Sequence, residues 1–243
     1  MLLANRFAPI TFQFGFIRGD LRRVAEHYVR WQHMILKIVT QDPVSGTLAS
    51  KLEKILPVDE DGQRILLTAT QSDWVAVFDN RVKGGTSDGI VGVVSERLAT
   101  GGLVVCDIPN TFRKSNPPGF RGLWGATAIS AYGKSDSGIW GFTRAVSVRN
   151  DVSGWRFHQM GPPWDFEDLE RYQARIIRQR LDSTLLAMYC EKLGIRLFDE
   201  SFYEGPGLAM RSKFPMVPGP RTYDLDELQR QIGVGAPRGA RQQ

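Results

Sequence analysis

Apolar positions along this chain switch between a period of two and a period of three to four, and the switches lay out its elements. Between Phe7 and Phe16, Ile10, Phe12, Phe14 and Phe16 alternate with Thr11, Gln13 and Gly15, the pattern of a strand. Leu21, Val24, Tyr28, Trp31, Ile35 and Ile38 then recur at helical steps, predicting a helix from Gly19-Asp20 to about Val39 with Asp20 as N-cap. Asp42-Pro43 ends it, and Leu48, Leu52, Ile55 and Leu56 predict a short helix over 47–56 closed by Pro57. An acidic turn, Asp59 to Gly62, leads into strands at 64–70 and 74–78. A polar loop at 79–87, a helix over 88–99 and a strand over 103–108 complete this unit.

The texture then becomes antiparallel. Strands at 123–132, 139–149 and 155–160, joined by polar turns at 133–138 and 150–154, read as a β-meander. Gly161-Pro162-Pro163 halts the sheet before a long helix over 166–193. Asp165 reads as its N-cap, with Trp164 and Leu169 as a hydrophobic staple and Glu167, Asp168 and Glu170 in the first turn. Its buried side is drawn from Leu169, Tyr172, Ile176, Leu181, Leu185, Met188 and Tyr189, and Gly194 stops it. Residues 205–223 read as a Pro/Gly-punctuated tether, 224–232 as a final helix and 235–243 as a mobile tail. The expected fold is a single α+β domain over 1–234. Its sheet is mixed but largely antiparallel, with a C-terminal meander and the helices 20–39 and 166–193 packed on one face.

Composition narrows this little. With 42% apolar and 23% charged residues over 243 positions, the chain is an ordinary folded globule. No stretch approaches the roughly 18 uncharged apolar residues of a membrane helix. No basic segment leads into an apolar run at the start, so a cytoplasmic location is expected. Cys106 and Cys190 lie in apolar patterns without a neighbouring base, as buried free thiols do. The net charge of +5 is carried by 23 arginines against 8 lysines. Residues 100–163 hold seven basic and three acidic groups, which opens nucleic-acid binding by a basic meander face.

Asp79, Asn80 and Asp88 are the first candidate site, because loop oxygens can hold a hard cation or position a substrate hydroxyl or amine. Their spacing fits no calcium loop, and an Asx turn at Asp79-Asn80 with Asp88 as a helix cap is the simpler account of them. Gly84-Gly85-Thr86-Ser87 lacks the spacing and the lysine of a phosphate loop. His27 and His33, six apart, point to different helix faces, whereas His158 could meet Asp165. Asp199, Glu200 and Glu204 among aromatics form an acidic cluster without a partner cluster. None of these gives a metal set, a cofactor fingerprint or a nucleophile with its base, so no metal and no cofactor is expected.

Tryptophan and arginine, by contrast, are plentiful. Trp31 and Trp74 fall in core patterns, but Trp124, Trp140 and Trp155 belong to successive meander strands beside Arg144 and Arg156. Arg171, Arg175 and Arg178 make a basic stripe on the predicted long helix. These residue types dominate protein-binding hot spots. The expected function is therefore a non-enzymatic cytoplasmic protein that binds, and neutralises or escorts, a protein partner, a profile that toxin-immunity proteins share as a class. The alternatives are an enzyme acting on a small polar substrate at the Asp79–Asp88 loop, and a nucleic-acid binder using the basic meander face.

Overall fold

The structure, a computed structural model, describes residues 1–82, 87–113, 122–134 and 140–234. The strands are β1 (Gln13–Arg18), β2 (Ile38–Val44), β3 (Val58–Asp59), β4 (Arg64–Ala69), β5 (Trp74–Asp79), β6 (Gly102–Ile108), β7 (Ala126–Lys134), β8 (Trp140–Asp151), β9 (Gly154–Met160), β10 (Gly207–Lys213) and β11 (Thr222–Tyr223). The helices are α1 (Leu21–Met34), α2 (Leu48–Leu52), α3 (Ser87–Leu98), α4 (Ser183–Lys192) and α5 (Leu225–Ile232). Nine strands form one sheet in the order β2-β10-β4-β5-β1-β6-β7-β8-β9, while β11 and β3 pair separately. All its ladders are antiparallel, β7 to β9 form the expected meander, with β6 pairing onto its edge, and the α+β reading holds. The Gly84 turn, the 133–138 turn beyond Lys134 and the 235–243 tail lie outside the described residues.

The sheet is covered on both faces. On one, Val24 and Tyr28 of α1 and Ile90, Val91 and Val94 of α3 pack on Ile17, Val75, Val77 and Val104. The approach of α3 depends on two glycines. A Cβ on Gly15 or Gly102 would lie 2.3 or 2.6 Å from Val91, too close for any larger residue. On the other face, Phe14, Phe16, Phe78, Val105 and Val146 meet α2, α4 and the segment around Phe202. Phe14 and Phe78 stack there at 4.8 Å.

Five expectations fail, most of them because a tertiary partner overrides a local pattern. The strand predicted from Phe7 begins at Gln13, since hydrogen-bonded turns such as Ala8 N–H to Asn5 O occupy the residues before it. α1 ends at Met34; Leu36 has φ +62°, and the β-branched run from Ile38 extends into the edge strand β2, where Pro43 needs no donor. The tether 205–223 contains β10, which pairs with β2 on one side and β4 on the other. The long helix 166–193 does not form. Single 3₁₀ turns at Arg171–Gln173 and Ile177–Gln179 precede α4, which starts at the Asp182 cap. The two main helices therefore lie on opposite faces of the sheet, not on one.

What orders the non-helical stretch is a buried ion pair. Arg144 on β8, 1% exposed, donates from Nε to Glu167 Oε1 at 2.7 Å and from Nη2 to Oε2 at 2.5 Å. Its other donors reach Met160 O (3.2 Å), Gly161 O (2.8 Å) and Gln159 Oε1 (3.0 Å). All five N–H groups of the guanidinium are thus satisfied. Glu167 is equally saturated, accepting also from Trp164 N–H (2.9 Å) and the Tyr172 hydroxyl (2.7 Å). Burial opposes its charge, but the Arg144 hydrogen bonds win and hold the Glu167 carboxyl below its usual range. Glu167 is drawn inward instead of sitting on a helix N-terminus, and Asp165 caps nothing. Gly161 makes the preceding turn possible, since at φ +78° a Cβ would lie 2.0 Å from Thr143 O.

A second buried cation works alone. Lys51 of α2, fully buried, donates to Thr68 Oγ1 (3.0 Å), Tyr203 O (2.7 Å) and Gly205 O, using all three ammonium protons to seat the chain that enters β10. Burial pushes its pKa down to about 8.

Two outcomes are expected. Arg144→Met or Glu167→Gln alone should cost about 3–5 kcal/mol in urea unfolding, and the Arg144→Met/Glu167→Leu pair should cost less than either, because no buried charge is left unpaired. For Lys51, the unfolded chain holds the proton up to pH 10.5 while the folded chain releases it near 8, so the unfolded state binds more protons in that window. The stability of the wild type relative to Lys51→Met should therefore rise from pH 8 to 10.5, as measured by denaturant titrations at each pH.

Candidate functional site

The sequence-predicted partner-binding residues divide sharply between surface and interior. Trp155 on β9 lies on the same side of the strand as Phe157 and packs at the margin of the core. Its ring passes over Gly125, where a Cβ would come within 2.8 Å of it. Asn110 Oδ1 fixes that junction by accepting from Gly125 N–H and Asn150 Nδ2, both at 3.0 Å. Next to it Trp124, 36% exposed, stacks on Phe112 at 4.0 Å.

The segment carrying the arginines crosses beside β9. Trp155, Ile176, Ile177 and Arg178 together line a shallow notch of about 330 Å³, with Ile176 47% exposed at its edge. Arg180 anchors the segment, resting over Phe157 at 5.6 Å and donating to Ala174 O at 2.9 Å. Arg171 is also engaged, with Asp182 at 2.6 Å and Gln179 O at 2.8 Å. Arg175 and Arg178 are exposed, and neither has a carboxylate within 4.0 Å among the described residues. Two candidates far apart in sequence, Trp155 and Arg178, are thereby brought together. Ile176, read from the sequence as a buried helix position, and Phe112 were missed as surface residues; an isoleucine pair set between arginines was the available signal.

The other candidates sit elsewhere. Arg144 is internal, a correction to its placement on a recognition face, because Glu167 and three carbonyl oxygens claim every donor it has. Arg156 is exposed but held by Asp151 at 3.5 Å and Ser153 Oγ at 2.7 Å. Trp140, half-buried at the start of β8, carries a buried indole N–H with no partner among the described residues.

The Asp79–Asp88 loop separates into two structural ties. Asn80 is fully buried: its Oδ1 accepts from Arg64 N–H (3.0 Å), and its Nδ2 donates to Pro57 O (2.7 Å) and Asp59 Oδ2 (2.9 Å). Asp79 makes the Asx turn, accepting from Arg81 N–H at 3.0 Å, and its second oxygen accepts from Ser87 Oγ at 3.1 Å. Asp88 is not a helix cap. Its carboxylate accepts from Gln13 Nε2 (2.7 Å) and the Tyr132 hydroxyl (2.9 Å), tying α3 to β1 and β7. Burial raises the Tyr132 hydroxyl above its ordinary range, with the Asp88 charge adding to it. Burial also pushes the Cys106 thiol up to about 12, where it is not a nucleophile at neutral pH.

No group of three metal-ligating side chains occurs among the described residues, and none of their helices is long and apolar enough to cross a membrane. His158 lies on β9 opposite Ser147, exposed. Asp199 caps the 3₁₀ turn Glu200–Tyr203 through Ser201 N–H at 3.0 Å and pairs with Arg196 at 2.8 Å. The Ser201 hydroxyl, with help from Arg196, holds its carboxyl below the usual range. No family model matches the chain, and neither a curated protein nor a solved structure matches it.

Because Asn80 bolts the turn before β4 to the end of β5, Asn80→Ala should lower stability by about 1–3 kcal/mol by orphaning buried groups. Asp88→Asn keeps an acceptor for Tyr132 and should cost less than about 1 kcal/mol. Thermal melts of the two variants check the order.

Proposed function

We propose that this chain is a non-catalytic binding protein of the cytoplasm that recognises a protein partner through the Trp155 notch and its basic rim. One observation carries the reading: a shallow recess formed by half-buried Trp155 and exposed Ile176 stands beside two arginines, Arg175 and Arg178, that no carboxylate among the described residues satisfies. Aromatic and guanidinium groups around a small apolar recess are the usual makings of a hot spot. The matching partner surface offers one apolar anchor flanked by aspartate or glutamate. Neutralising or escorting such a partner is the role this fits, as in immunity proteins.

The alternatives draw less support. Asp88 and Asn80 are spent on internal hydrogen bonds, which leaves the loop enzyme without free reactive groups at those positions. The nucleic-acid reading loses Arg144 to the interior and Arg156 to Asp151.

Affinity capture from an extract of the native host, with wild type and the Arg175→Glu/Arg178→Glu and Trp155→Ala variants side by side, tests the proposal. The expected result is one stoichiometric partner on the wild type, bound at least about tenfold more weakly by either variant. Recovery of no such partner, or equal binding by all three proteins, would defeat it.

A further inference from the structure

We infer a second binding site, independent of the Trp155 notch: the cleft between the sheet end and α5, fitted to a small monoanion with an apolar body. The cleft has a volume of about 840 Å³, within the range of ligand sites, and a largely apolar wall of Phe12, Val82, Ile108, Leu123 and Ile232. Its charged rim is built by a short ribbon. Thr222 of β11 pairs with Asp59 of β3, and Asp59 bridges to Arg81 on the other side. Arg221 and Arg81 therefore flank the Asp59-Glu60 stretch from both sides.

The acids on this ribbon are occupied. Asp59 is buried and accepts from the N–H groups of Asp61, Gly62 and Gln63 and from Asn80. The Glu60 carboxylate takes the Tyr223 hydroxyl at 2.5 Å. The arginines are not so engaged. Among the described residues the Arg81 side chain donates only from Nε, to Glu60 O at 3.0 Å, and Arg221 rests over the Tyr223 ring at 5.0 Å. Neither has a carboxylate within 4.0 Å among the described residues.

Among the described lining residues two guanidiniums, Arg81 and Arg221, stand against one carboxylate, Glu60, and low-dielectric walls strengthen their field. A carboxylate or sulfonate accepting from the arginine N–H groups makes charge-assisted hydrogen bonds, while its apolar part covers Ile108 and Leu123. A dianion would also meet Glu60, which favours the single charge.

The probe is 1-anilinonaphthalene-8-sulfonate, a monoanion with an apolar body, compared with its uncharged relative N-phenyl-1-naphthylamine by calorimetry and fluorescence. The expected result is saturable one-to-one binding of the sulfonate, weakened about tenfold or more in Arg221→Gln and in Arg81→Gln. The uncharged probe should change less than about twofold in both, and Trp155→Ala should leave sulfonate binding intact. Absence of saturable binding, equal sulfonate affinity in wild type and Arg221→Gln, or loss of binding in Trp155→Ala would overturn the inference.

Discussion

The buried pair of Arg144 and Glu167 is the constraint on which the outer half of this structure depends. Residues 161–182 form no helix long enough to satisfy themselves, so their order has to come from outside. It comes from β8, through a guanidinium whose five donors and a carboxylate whose acceptor sites are all used. Desolvating two charges is costly, and only such complete pairing offsets it. The pair's hydrogen bonds address particular atoms of residues 159–172, which an apolar pair of the same volume would leave without a directed partner.

Lys51 repeats the device on the other side of the molecule. Its three donors hold the carbonyls of Tyr203 and Gly205, and the chain then runs straight into β10 between β2 and β4. The architecture therefore has two kinds of part. Strands and helices with strong apolar periodicity assemble by burial, and irregular stretches are nailed to them by single buried cations. The Trp155 notch stands on the second kind. Its floor belongs to β9, but Ile176 and Arg178 are delivered by the segment that Arg144 and Arg180 hold in place.

How legible this was follows the same division. α3, β4, β5, β6 and the meander could be read from the chain, because their apolar alternation answers directly to the layer each one faces. The Asp20 cap was visible for a local reason: it bonds N–H groups two and three residues ahead. β10 was not visible, since Gly207 to Lys213 carries weak strand propensity and owes its form to pairing on both edges. The missing long helix shows the limit most clearly. Leu169, Tyr172 and Ile176 keep helical spacing, yet the partner that decides their path is Arg144, more than twenty residues upstream. At the site, Trp155 and Arg178 could be picked by residue type, but the same criterion also picked Arg144, because type carries no information about burial.

One buried ion pair organises the segment that carries the proposed recognition residues Ile176 and Arg178, and the sheet stands without it. Amide hydrogen exchange on the Arg144→Met/Glu167→Leu protein tests this most directly. Protection should fall at residues 164–182 while β1, β5 and β6 keep theirs. Unchanged protection at 164–182, or its loss across the sheet as well, would show that the Arg144–Glu167 pair does not play this part.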